Sequence, residues 1–240
     1  MIENTSLIAL SRQSVLRREM DVISNNIANA STTGFRRQRM LFEEFLMDAG
    51  GERKLSFVQD VGVVRDLTEG AKRATDNPLD MAISGEGYFT VETEEGLRYT
   101  RNGRFRLDEE GTLVTITGDP VLDADQRPIL LNPGDGAVQI APDGTISTDQ
   151  GEIGTLGIVT FENLQAVKGV GGGLYESDQA PILAEDATVR QGMIEGSNVE
   201  PILEMTKMIN VLRAYQSTQD LVQKDGDMRR RSIERLAKVN

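Results

Sequence analysis

The sequence predicts an α+β protein in which both termini contribute helices to one discontinuous, coiled-coil-like domain, bracketing a central β-rich domain. Three observations carry this. The ends repeat apolar residues at helical spacing, the middle alternates short β-prone runs with turn signals, and no apolar run approaches the roughly 18 to 20 residues of a membrane span. At 240 residues the chain can bury a sizeable core in one or two domains. Its organisation reads as a helical assembly domain from residues 1–35 and 191–240, a connecting segment over 36–80, a β-rich domain over 81–164 and a return connection over 165–190.

The first element is a helix. Ile2, Ala9, Leu16, Ile23 and Ala30 recur every seven residues, with Met20 and Ile27 at the second seam position, while Arg17, Arg18, Glu19 and Asp21 decorate the remainder. That is the pattern of a helix packed along its length against another. Beside the stripe lies a band of Val22, Asn25, Asn26 and Asn29. Asparagine is a mediocre helix former, because its amide competes for local backbone groups. Something else selects it here. An amide donates and accepts, so the band is expected to satisfy polar groups across a close contact without burying charge. Ser31, Thr32, Thr33 and Gly34 then end the helix, with Gly34 free to take positive φ and Phe35 anchoring the exit.

From Met81 to Phe161 the runs YFTVE, LRYTR, NGRF and TLVTIT, separated by EEG and DEEG, read as successive hairpins. Turns follow at Gly118-Asp119-Pro120, Asn132 to Gly136, Pro142-Asp143-Gly144 and Asp149-Gln150-Gly151. A barrel-like or sandwich-like body with an aliphatic core is expected. The segments 36–80 and 165–190, including Gly169 to Gly173, read as connections with occasional strands. The last element is again a helix, on Met205, Met208, Leu212, Tyr215 and Val222, resuming at Ile233 and Leu236. Ser197 or Asn198 is placed to cap it, with Pro201 in its first turn, where a missing N–H costs nothing.

Composition narrows the chemistry. A net charge of −12 makes nucleic acid an unsuitable partner, since phosphate binding needs a basic face. Cys and His are absent, which removes Ser-His-Asp and Cys-His nucleophiles, HExxH zinc and cysteine metal clusters. Gly85-Glu86-Gly87 lacks the further glycine and Lys-Ser/Thr pair of a phosphate loop and reads as a turn before Tyr88. Asp143, Thr145, Ser147 and Asp149 alternate oxygens, but their glycine is misplaced for a calcium loop. No catalytic, cofactor-binding or metal residue is singled out, and membrane insertion is not expected. A carbohydrate-binding or carbohydrate-active β protein is the alternative from another class, motivated by the 38 acids and weakened by absent Trp. The N-terminus lacks a secretory signal, so export is expected to leave it uncut.

NNIANASTTGF resembles the N-terminal signature of bacterial flagellar rod and hook proteins. The resemblance continues through NPLDMAISGEGYFTV, YTRNGRFRLDEEGTLVT, QGMIEGSNVEP and MINVLRAYQ, across essentially the whole chain. The direct run from Phe42 to Val61 resembles the proximal-rod branch more than the distal-rod branch, which is the runner-up. The resemblance implies a non-enzymatic subunit, exported unfolded through the flagellar type III apparatus and polymerised in the periplasmic part of the basal body to transmit torque from motor to hook. It implies as partners copies of the chain, other rod subunits and the surrounding basal-body rings. The terminal helices would form an inner coiled-coil-like layer, disordered in the monomer so that ordering is deferred to assembly. The assembly interface is then expected on Leu16, Met20, Ile23, Asn25, Asn26, Ile27, Asn29, Gly34, Phe35, Asn198, Met205, Met208, Leu212 and Tyr215, with the asparagines facing neighbouring subunits.

Overall fold

The computed structural model describes the backbone of residues 2–48, 54–132 and 134–237, with side chains at 8–42, 62–132, 134–228, 230, 231 and 234. In chain order the elements are α1 (Ile2–Ala28), β1 (Gln38–Asp48), β2 (Lys54–Arg65), β3 (Lys72–Ala74), β4 (Met81–Ser84), β5 (Tyr88–Thr93), β6 (Gly96–Thr100), β7 (Phe105–Leu107) and β8 (Leu113–Thr115). There follow β9 (Gln139–Ile140), β10 (Thr145–Thr148), β11 (Gly151–Thr155), β12 (Ile158–Thr160), β13 (Lys168–Gly171), β14 (Leu174–Glu176), β15 (Ile182–Leu183), β16 (Thr188–Gln191), β17 (Met193–Glu195) and α2 (Pro201–Ala237). The α+β class is as expected. The chain divides into a helical unit, Met1–Ala28 with Gln38–Asp66 and Glu200–Asn240, and a β body, Asn29–Arg37 with Leu67–Val199.

In the helical unit α1 and α2 share a seam in which Leu16, Ile23 and Val211 are buried and Met20, Ile27, Met208, Ala214 and Tyr215 pack around them. On α1 the seven-residue repeat is the seam: Ala9 is buried with Leu16 and Ile23, Ala30 lies beyond the helix end, and the Ile2 side chain is outside the described residues. On α2 the expected stripe divides. Met208 and Tyr215 join the seam, while Met205 and Leu212 are exposed. The seam row is Glu204, Met208, Val211, Tyr215 and Thr218; a second row of Ile202, Met205, Ile209 and Leu212 lies about 100° around the helix. The expected stripe takes residues alternately from both rows. Ile233 and Leu236 are outside the described side chains. Pro201 does open α2, but Glu200 holds the capping position, its carbonyl accepting the Glu204 N–H at 3.0 Å.

The helical unit also contains a long antiparallel hairpin, β1–β2, in register from Gln38↔Arg65 to Asp48↔Lys54 with a bulge between Leu41 and Phe42. The sequence reading gave this stretch only occasional strands. Phe42-Glu43-Glu44-Phe45 breaks the period of two that marks a half-buried strand.

The β body holds an open six-stranded antiparallel sheet, ordered β13-β14-β6-β5-β12-β15, a three-stranded sheet β11-β10-β9, and the pairs β16-β4, β17-β3 and β7-β8. The expected hairpins at β5–β6 and β7–β8 are present, and the expected turn at Asp149-Gln150-Gly151 joins β10 to its antiparallel partner β11. The main core is largely aliphatic, around Met81, Ile83, Leu113, Ile146 and Leu156. A second cluster is aromatic, contrary to expectation: Tyr88, Tyr99, Phe161 and Tyr175 pack together, with Tyr99 and Phe161 edge to face at 4.8 Å. The segment expected as a return connection supplies β13, β14 and β15, half of the large sheet. Gly171, Gly172 and Gly173, all at positive φ, make a hairpin turn between β13 and β14, not a linker.

Candidate assembly surface

Asn26 is 1% exposed and occupied within its own chain. Its Nδ2 donates to the Gln38 carbonyl at 2.8 Å and to Glu204 Oε2 at 3.1 Å, and its Oδ1 accepts the Gln38 N–H at 2.8 Å. One amide thus satisfies both backbone groups of the first residue of β1 and reaches the buried carboxylate of α2. No good helix former offers both polarities from so short a stem. Glu204 is also held by Lys207 Nζ at 2.5 Å. Nearby, burial raises the Glu19 carboxyl above the usual range, and the positive charge of Lys207 opposes that rise. The expectation that Asn26 faces a neighbouring subunit is therefore corrected: it ties together α1, β1 and α2.

The asparagine band divides further. Asn25 is exposed on α1, whereas Asn29 lies just past the helix, in the β body, where its Oδ1 accepts the Thr32 hydroxyl at 3.2 Å. Gly34 has φ +71°, as its place after the helix requires, and a Cβ there would lie 2.6 Å from the Arg101 carbonyl carbon. Its N–H donates to the Glu195 carbonyl at 2.8 Å. The Phe35 carbonyl accepts the Asn198 N–H at 3.3 Å. The Asn198 side chain accepts from Arg37 N–H at 2.6 Å and donates to the Thr68 carbonyl at 2.8 Å, which takes it away from capping α2. Gly34, Phe35 and Asn198 are thus joined in one knot inside the β body.

Under that knot lies a charge cluster that the sequence reading missed. Glu195, 1% exposed, receives Arg36 Nη2 at 3.1 Å on Oε1 and Arg101 Nη2 at 2.7 Å on Oε2. Gly70 N–H also donates to Oε1 at 3.0 Å. Arg101 Nη1 spends its donors on the carbonyls of Gly85 and Gly87, at 2.9 and 2.6 Å; Arg36 Nη1 donates to those of Leu67 and Thr68. Burial lowers the Arg36 pKa and the neighbouring Arg101 lowers it further, while Glu195 restores part of it. Two guanidiniums on one carboxylate leave a buried net positive charge, tolerated because backbone carbonyls take the remaining donors. In the sequence the only hint is an acid closing the apolar run Met193-Ile194 ahead of Gly196.

On α2 the helical unit leaves a row of apolar residues uncovered. Met205 is 51% and Leu212 43% exposed, in one row with the exposed Ile202 and Ile209, on the half of α2 that follows Pro201. A helix with one apolar row packed and a second row open has surface for one more partner. Of the expected interface residues, then, Leu16, Met20, Ile23, Ile27, Met208 and Tyr215 line the internal seam. Asn25, Met205 and Leu212 face outward.

Residues 7–36 match the family described as flagella basal body rod protein, residues 82–148 the flagellar hook protein FlgE/F/G D1 domain, and residues 190–235 the flagellar basal body rod FlgEFG protein C-terminal. The chain therefore belongs to the flagellar basal-body rod proteins, structural components of the basal body that assemble with other rod and basal-body subunits. Within that class it is FlgF-like. It is 39% identical to the flagellar basal-body rod protein FlgF of Caulobacter vibrioides, over 100% of both chains. It is 34% identical to FlgF of Mesorhizobium japonicum over 98% of each. Against FlgG of Buchnera aphidicola subsp. Acyrthosiphon pisum it is 35% identical over 82% of this chain and 86% of that one. Among the described residues no helix is long and apolar enough to cross a membrane.

Proposed function

We propose that this chain is a structural subunit of the proximal rod, that it polymerises through its terminal helices, and that it transmits torque from motor to hook. The observation that carries the proposal is the second apolar row of α2, Ile202, Met205, Ile209 and Leu212, exposed beside a seam already filled. Together with Asn25 it forms the assembly face, and in the rod α1 and α2 join a coiled-coil-like inner layer. Full-length similarity to FlgF proteins supports the proximal position. The reading includes export through the type III apparatus without a cleaved signal, and residence in the periplasmic part of the basal body. The distal rod is the second reading, on the identity to FlgG.

A photo-crosslinker at Leu212 in flagellated cells, followed by mass spectrometry, tests this. Capture of other rod subunits from the proximal and distal segments supports the proximal rod. Capture of its own copies alone favours the distal rod, and capture of nothing beyond its own chain contradicts assembly through α2.

A further inference from the structure

The chain passes between the helical unit and the β body at the peptide bonds 28–29, 37–38, 66–67 and 199–200. Within the β body three segments lead from these crossings: Asn29–Arg37, the run from Leu67 to Ala71 and the run from Glu195 to Val199. Each is hydrogen-bonded to the other two. From the first to the second, Arg36 Nη1 donates to the Leu67 carbonyl at 2.9 Å. From the first to the third, Gly34 N–H donates to the Glu195 carbonyl at 2.8 Å and Arg37 N–H to Asn198 Oδ1 at 2.6 Å. From the third to the second, Asn198 Nδ2 donates to the Thr68 carbonyl at 2.8 Å and Gly196 N–H to the Ala71 carbonyl at 2.9 Å. The three segments therefore close a triangle of hydrogen bonds.

Glycine brings these backbones into contact: a Cβ on Gly70 would lie 1.9 Å from the Gly196 carbonyl oxygen. Arg101 then anchors the triangle, its Nη2 on Glu195 and its Nη1 on the carbonyls of Gly85 and Gly87. Left separate, glycine-containing passages would be flexible tethers, each free to swivel. A polar network whose members satisfy one another is rigid. We infer that this triangle is the joint that carries torque. A twist delivered to the helical unit enters the β body through all the passages together, where separate tethers would lose it by rotation. Arg36 and Asn198 are its positioning residues, since each spans both of the other segments. The inference rests on the torque transmission in the proposed function and adds the residues through which torque passes.

Asn198→Ala removes the side-chain ties to Arg37 and Thr68. Arg36→Lys keeps a charge for Glu195 but loses the fork that also reaches Leu67 and Thr68. Each variant replaces the native chain in flagellated cells, and swimming is followed as the viscosity of the medium, and with it the torque, is raised. The expected result is wild-type speed in dilute buffer and loss of swimming at a viscosity in which the wild type still moves, with the variant chain present in isolated basal bodies. Wild-type swimming at every viscosity overturns the inference. Absence of the variant from basal bodies also overturns it, because the triangle then serves assembly and not torque. Amide exchange of β5 and β6 equal to that of the unaltered chain marks a variant as folded. Asn198 is only half-buried, so its variant decides the matter if Arg36→Lys does not fold. Capture of other rod subunits at Leu212 in the unaltered chain separates the two readings: with capture intact and Asn198→Ala swimming normally, assembly stands and the joint falls.

Discussion

The two units of this chain spend their apolar residues differently. The β body buries a large core around Phe89, Met81 and Leu113, adds an aromatic cluster, and encloses a carboxylate between two guanidiniums. Among the described residues, the helical unit packs a cluster on Leu16, Ile23 and Val211 and leaves a second row of α2 open. Since apolar burial is the dominant favourable term in folding, the β body is equipped to stand alone, and the proposed assembly would complete the helical unit. The same economy explains the polar groups. In the helical unit a single amide, Asn26, holds three elements, where the β body uses a whole ionic cluster.

The contrast is broken most severely by Leu212→Asp. The expected outcome is loss of motility with the thermal unfolding of the β body unchanged, because a carboxylate forced into an apolar contact between subunits costs several kcal/mol, by order of magnitude. A motile strain would remove Leu212 from the assembly face. Next comes Glu195→Ala, which leaves Arg36 and Arg101 buried without their counter-charge. It is expected to destabilise the β body by about 3–5 kcal/mol, read as a lowered urea midpoint with unchanged slope.

Asn26→Ala sharpens the comparison from the other side. It strips the amide from the Glu204 carboxylate and from both backbone groups of Gln38, for an expected loss of about 1–3 kcal/mol in the helical unit alone. Faster amide exchange in α1 and α2 in isolated basal bodies, with β-body exchange unaltered, is the signature. The smallest effect is electrostatic. Burial raises the Glu19 carboxyl in the folded chain, so the folded state binds its proton more tightly than the unfolded state. The helical unit therefore gains stability as pH falls through that raised value and loses it as pH rises. Glu19→Gln is expected to flatten this dependence above the ordinary glutamate range, seen by following helix content against pH.

Much of this was legible in the sequence, and the rest was hidden for identifiable reasons. The heptad of α1 predicted Ala9, Leu16 and Ile23 in the seam because that helix has one apolar stripe and therefore one solution. On α2 two rows each satisfy three-four spacing, and spacing alone does not say which is covered, so it groups Met205 and Leu212 with Met208 and Tyr215. The positive φ of Gly34 followed from local geometry. The burial of Asn26 did not, because it depends on Glu204, 178 positions away. Arg101 meets Glu195 across 94 positions. Ionic residues carry no periodic signature of burial, so a core built on Arg36, Arg101 and Glu195 looks like three ordinary surface charges. The β1–β2 hairpin was missed because Glu43 and Glu44 interrupt its alternation.

The claim that the helical unit is completed by assembly, while the β body is not, is tested most directly by hydrogen exchange on the full chain, dilute and in isolated basal bodies. The expected result is fast exchange across α1 and α2 in the dilute chain beside slow exchange in β5, β6 and β8, with the helices becoming protected in the basal body. Helices as protected as those strands in the dilute chain would contradict it.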